Sequence, residues 1–236
     1  MWIGGRSRVD ASTHVRKSAI RALRERQYQP AGSRRSHSPH ASRHHARATG
    51  RSERLAILVH VGKTLYLLRH AKSSWDHPSL ADRDRPLAPR GRRASKTIAE
   101  YLQRQAITPS LVLCSSSRRT RETLEQISAA LGKGADVRIE ESLYATSATR
   151  LLKRLRTVDS RVSSVMMIGH DPAIKELALN LAGSGRQLER LREKFPTGAL
   201  ATLAFRGSWS DLRRGTTELV AFVKPRELEH LPSDVA

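Results

Sequence analysis

The sequence predicts an α/β domain built in three layers, α/β/α, with helices on both faces of a mostly parallel central sheet. Three observations carry that expectation. From Lys63 onward, short continuous apolar runs alternate with amphipathic stretches of helical period, which is how strands buried on both faces and their covering helices read in a sequence. Cys114 is the only cysteine, so no internal disulfide framework can substitute for a core. The segment before Lys63 differs from the rest, being rich in Arg, Ser and His and poor in large apolar side chains.

The elements follow in order. Thr64 to Leu68 is a continuous apolar run and reads as a strand buried on both faces. Helical periodicity runs from Gly91 through Gln103, and a second apolar run, Leu111 to Leu113, gives the next strand. An amphipathic stretch from Arg119 to Leu131 stops at Gly132, as helices commonly do. Val137 to Ile139 is a further strand. The helix expected from Ala148 to Arg156 places Leu151, Leu152 and Leu155 on one face. Val165 to Ile168 is the fourth buried strand, and Pro172, tolerated in a first helical turn, opens a helix through Leu181. Strands at Ala199 to Phe205 and Glu218 to Val223 complete the pattern, with no internal repeat.

Charge divides the chain further. The formal net charge is +21, but 13 basic and 3 acidic residues fall at or before Gly62, leaving 30 basic and 19 acidic after it. We therefore expect a basic, disordered leader at 1–60 and a folded domain at 61–236. The leader composition cannot offset the entropy of ordering a backbone. It also fits an Arg-rich transit peptide, a nucleic-acid arm, or a natural start nearer Val59 or Val61, and His37, His40, His44 and His45 could bind a metal weakly. The run Leu55 to Val61 is too short for a membrane span, which needs about 18 apolar residues. No secretory signal is expected, and a cytoplasmic location is expected, or an organellar one if the leader is a transit peptide.

Ligands of such sheets bind beyond the carboxyl ends of the strands. The first strand is followed by Arg69-His70-Ala71-Lys72, the second by Ser115-Ser116-Ser117-Arg118-Arg119-Thr120, and the fourth by Gly169-His170-Asp171-Pro172. Either histidine alone would more often be structural or solvated. Two histidines and several arginines on one rim point to phosphoryl transfer, because imidazole can act as a nucleophile and guanidinium groups bind phosphate oxygens in pairs. Arg118, Arg119 and Arg121 could be a solvated helix face, yet cations in a first helical turn are electrostatically unfavourable unless an anion is near.

These residues resemble the histidine phosphatase superfamily, with its phosphoglycerate-mutase-like fold, and within it the short SixA-type phosphohistidine phosphatases. The resemblance rests on LYLLRHAKSSWD from Leu65, DRPLAPRGRR from Asp84, LVLCSSSRRTRETL from Leu111 and MMIGHDP from Met166. It implies that His70 is the nucleophile that becomes phosphorylated and that Arg69 and Arg119 bind the phosphoryl group. His170 would be the second pocket histidine. Ser115, ending the second strand, joins Arg69, Arg119 and His170 among the expected substrate-binding residues. Asp171 stands where the family leads us to expect asparagine.

With two arginines supplying positive charge, the expected reaction uses no metal and no cofactor, and the sequence has no P-loop. Family members that act on sugar or glycerate esters carry a general acid, and the corresponding position here is Ala145. An N-phosphoryl imidazole leaves readily once protonated, so a phosphohistidine of a phosphorelay or phosphotransfer protein is the expected substrate. Small phosphate monoesters remain the alternative, with Glu141 or Asp76 reaching the pocket as acid. Aromatics are only 4% and not interleaved with basic residues, which argues against nucleic acid as the partner. No membrane is expected as a partner, and a monomer is expected.

Overall fold

The computed structural model describes residues 62–76 and 78–228, so the expected leader and its histidine cluster lie outside the described residues. Strand β1 (Lys63–Arg69) has five consecutive buried residues, Thr64 to Leu68. It is buried on both faces because it lies in the middle of a seven-stranded sheet. The other strands are β2 (Leu111–Ser115), β3 (Asp136–Glu140), β4 (Ser164–Gly169), β5 (Ala182–Ser184), β6 (Leu200–Phe205) and β7 (Thr217–Val223). Their spatial order is β3-β2-β4-β1-β6-β7-β5. β6 runs antiparallel to both of its neighbours, and every other pairing is parallel.

Alternation along each strand divides the interior in two. Leu65 and Leu67 of β1, Leu111 and Leu113 of β2, and Val165 and Met167 of β4 face one core. Helices α3 (Ala148–Arg156), α4 (Ala173–Leu181) and α5 (Leu188–Glu193) close it with Leu151, Leu155, Leu177, Leu181 and Leu191. Tyr66, Leu68, Val112, Cys114, Met166 and Ile168 face the other. That core is covered by α1 (Pro89–Arg104), α2 (Arg118–Ile127) and α6 (Pro225–Leu228), through Ile98, Leu102, Leu124, Ile127 and Leu228. The result is the three-layer arrangement expected from the sequence.

The departures are local. α2 ends at Ile127 and gives way to a 3-10 turn over Ser128–Ala130, and α4 begins at Ala173 with Pro172 as its cap. β5, with three residues, and α5, with six, are new; neither is long enough to show a period. α1 approaches the chain after β1 so closely that a Cβ at Gly91 would lie 2.1 Å from the carbonyl oxygen of Lys72. Glycine alone permits that contact. It fixes the start of α1 against the site.

Candidate active site

Sheet register assembles the pocket. β1 and β4 are parallel neighbours with Arg69 opposite Gly169, so the residues after them, His70 and His170, emerge side by side. The His70 amide donates to the Gly169 carbonyl at 3.0 Å, and the two rings lie 5.1 Å apart, tilted by 53°. β2 lies on the other side of β4, which brings Ser115 Oγ to 2.9 Å from His170 Nε2. Arg119 reaches the same point from the first turn of α2. All five residues expected from the sequence, His70, Arg69, Arg119, His170 and Ser115, therefore share one pocket rim.

Hydrogen bonds define the tautomers. His70 Nδ1 is 2.7 Å from the Ala71 carbonyl oxygen, which can only accept, so Nδ1 carries the proton and Nε2 keeps its lone pair. His170 has the opposite arrangement. Arg119 Nη2 donates to His170 Nδ1 at 3.3 Å, and the proton on Nε2 points to Ser115. Burial is the main cause that lowers His70 to a pKa of about 3, with the charges of His170, Arg119 and Arg69 adding to it against the Ala71 hydrogen bond. Burial and then Arg119 lower His170 to about 4, with Asp82 opposing. Both rings are neutral near neutral pH.

The arginines differ in their commitments. Arg69 Nη1 donates to the Phe195 carbonyl at 2.6 Å and lies 3.7 Å from Asp171 Oδ2. Its Nε is buried without a partner, and Nη2 has no acceptor among the described residues. Burial lowers its pKa, and Asp171 opposes the shift. Arg119, by contrast, is held mainly by Asp82. It donates to the Asp82 backbone carbonyl at 2.5 Å and to the Asp82 carboxylate at 2.8 Å.

Asp82 is the site residue that the sequence did not reveal. It heads a 3-10 turn, Asp82–Asp84, which Arg85 ties down by donating to Asp82, to Ser73 Oγ and to the Ser74 carbonyl. Tyr144 donates to the same Asp82 carboxylate at 3.1 Å and stands edge-on to His170, 5.6 Å away. Burial alone would raise the Asp82 carboxyl, but hydrogen bonds from Arg119 and Tyr144 and the Arg119 and Arg85 charges bring it below the ordinary value. The two acids suggested by the sequence have other partners. Glu141 is exposed and held by Arg83, and Asp76 accepts from Ser74 Oγ at 2.6 Å. Ala145 is exposed in a left-handed conformation, with φ 46°.

Among the described residues no group of three or more His, Cys, Asp or Glu side chains could hold a metal ion, and no helix is long and apolar enough to cross a membrane. The positive charge of the pocket comes from Arg69 and Arg119.

Comparison with known proteins gives four likenesses. The model of the histidine phosphatase superfamily (branch 1) matches residues 65–151. A protein of Mycobacterium leprae is 38% identical over 167 residues, spanning 67% of this chain and 100% of that one. Among solved structures, a SixA-type protein from Nakamurella multipartitia aligns with a TM-score of 0.60 and 32% identity, over 70% of this chain and 96% of that one. Another from Agrobacterium tumefaciens aligns with a TM-score of 0.59 and 29% identity, over 69% and 97%.

Proposed function

The chain belongs to branch 1 of the histidine phosphatase superfamily, and from that premise we propose that it is a metal-independent phosphohydrolase acting on the phosphohistidine of a protein. The observation that carries this reading is the His70 tautomer. With Nδ1–H held by the Ala71 carbonyl, Nε2 is an unprotonated nucleophile in a pocket that also holds the Arg69 and Arg119 cations. Arg69 Nη2, Arg119 and His170 would bind three phosphoryl oxygens and offset their charge. The SixA-type likenesses agree with a phosphohistidine substrate.

Two displacements at phosphorus complete the reaction. Nε2 of His70 attacks phosphorus and the bond to the substrate imidazole breaks; a substrate ring already protonated on its other nitrogen leaves neutral. The phosphorylated His70 ring is then cationic and still donates Nδ1–H to Ala71. Water attacks phosphorus, the phosphorus–Nε2 bond breaks, and His70 departs as the neutral tautomer from which it started. The water proton remains with the released phosphate.

Electrostatics favours phosphohistidine over an ester. An alkoxide leaving group requires a proton, and the carboxyl of Asp82, which borders the pocket, is held below its ordinary pKa by its own partners. Glu141 is engaged by Arg83 and Asp76 by Ser74. Assaying a phosphohistidine peptide, a phosphoserine peptide and 3-phosphoglycerate side by side tests the reading. We expect the first to react fastest, and turnover of the glycerate alone would refute it. The proposed location is the cytoplasm, or an organelle if the leader is a transit peptide, and imaging the tagged full-length chain distinguishes them.

A further inference from the structure

Beside the phosphoryl pocket, on the Arg69 side, lies an open cleft of about 690 Å³. It is walled by the chain after β1, the first turns of α1, the loop before β6 and the start of α6. Its composition is lopsided. Lys72 comes from the first wall, Arg90 and Arg93 from the second, Lys194 from the third, and Lys224 and Arg226 from the last. Against these and Arg69 stands one lining carboxylate, Glu227. That carboxylate is already engaged, by Arg190 and, at 3.8 Å, by Lys224.

Lys72, Arg90, Arg93, Lys194 and Arg226 form no ion pair among the described residues. Gathering them costs Coulomb energy that an absent anion would relieve. Arg90 adds to that cost by sitting in the first turn of α1, where the helix dipole disfavours cations and no acidic residue offsets it, and Arg93 follows at the start of the second turn. The walls are fixed in place: Gly91 packs on the Lys72 carbonyl, the Ala88 amide donates to that same oxygen at 2.9 Å, and Gly198 packs beneath Pro225 and Ala94.

We propose that this cleft is a docking subsite for an acidic segment of the protein substrate, adjoining its phosphorylated residue. The subsite rests on the phosphohydrolase reading for its orientation, since Arg69 lines both the cleft and the phosphoryl pocket, so an occupant is continuous with the reacting group. Its volume exceeds what one phosphoryl group needs. Its cations stand apart on four walls, and Arg90, Arg93, Lys194 and Arg226 are exposed. That spacing suits several separate carboxylates on a chain better than one compact anion.

Two measurements separate this proposal from the reading beneath it. Turnover of phosphoramidate, which has no flanking acid, tests the phosphohydrolase alone. Fluorescence anisotropy with a labelled, unphosphorylated Asp/Glu-rich decapeptide tests the cleft alone. The peptide is expected to bind the full chain at low salt, to weaken as salt rises, and to weaken about tenfold in Arg90→Glu/Arg93→Glu, the size expected of a few exposed ion pairs. Phosphoramidate turnover should stay within about twofold in that variant. If the variant does not fold, Lys194→Ser/Arg226→Ser from the opposite walls replaces it. Equal peptide affinity in wild type and variant would overturn the subsite. So would tripolyphosphate binding that depends on these arginines while the peptide does not bind, because the cleft would then serve a compact polyanion.

Discussion

Acidification should destabilise this fold through its two pocket imidazoles, and the size of the effect follows from their burial. His70 is held at about 3 and His170 at about 4, against an ordinary value of 6.5. Both shifts are downward, so below about pH 6.5 the unfolded chain takes up protons that the folded chain refuses. The neutral rings carry no penalty above that pH, and stability falls with pH below it. Each ring loses about 1.4 kcal/mol per pH unit, which amounts to about 2 kcal/mol apiece by about pH 5. Replacing His70 by Asn keeps a donor for the Ala71 carbonyl and removes one titration. Urea unfolding at about pH 7 and about pH 5 should then show wild type losing about 2 kcal/mol more than His70→Asn. Equal losses would mean that His70 is not a buried neutral base, and the nucleophile argument built on its tautomer would fall with it.

Three other outcomes are expected. Quenching turnover with labelled phosphohistidine peptide should trap acid-labile, alkali-stable label on wild type and none on His70→Ala; acid-stable label would indicate another nucleophile. Asp82→Asn should strengthen inhibition by inorganic phosphate roughly threefold to tenfold, because an anion no longer competes for Arg119; unchanged inhibition would show that Asp82 and phosphate do not contend for that arginine. Gly91→Ala should lower stability by at least about 1–3 kcal/mol, since its Cβ must displace the Lys72 carbonyl; an unchanged melting temperature would refute the close approach.

What could be read in advance was whatever a single run of sequence determines. Leu65, Leu113 and Met167 lie in unbroken apolar runs because their strands are covered on both faces, and that burial writes itself into composition. His70 and His170 could be located because a strand end is a local feature. Asp82 could not. Its place over Arg119 depends on a 3-10 turn folding back and on Arg85 holding it, neither of which leaves a periodic trace. Tyr144 is similar, since it acts by standing against His170 from another strand's exit. The direction of β6 was also invisible: Leu200 to Phe205 is as apolar as a parallel strand, and only its neighbours show that it runs the other way. β3 gave a short signal because it is the sheet edge, where Val137 and Ile139 are each 47% exposed.

The central position of β1 has a consequence for the chain during its synthesis. Leu65 pairs with Val165 on one side and with Leu203 on the other, so both neighbours of the first strand are encoded a hundred or more positions downstream. The separation is 100 residues to β4 and 138 to β6 at Leu65, and such long-range pairing slows folding, because wide loops must close before the contacts repay them. A ribosome adding about 5–20 residues per second needs roughly ten seconds to travel from β1 to β6. Until β4 is made, Thr64 to Leu68 is an apolar ribbon with neither edge paired, and its second edge stays open until β6 follows. His70 has no His170 beside it until β4 emerges, and Arg69 has no Phe195 carbonyl until the stretch leading into β6 has been made. Nascent chains halted before β6 should therefore be prone to aggregate, and this chain should depend more on chaperones than a helical protein of the same length.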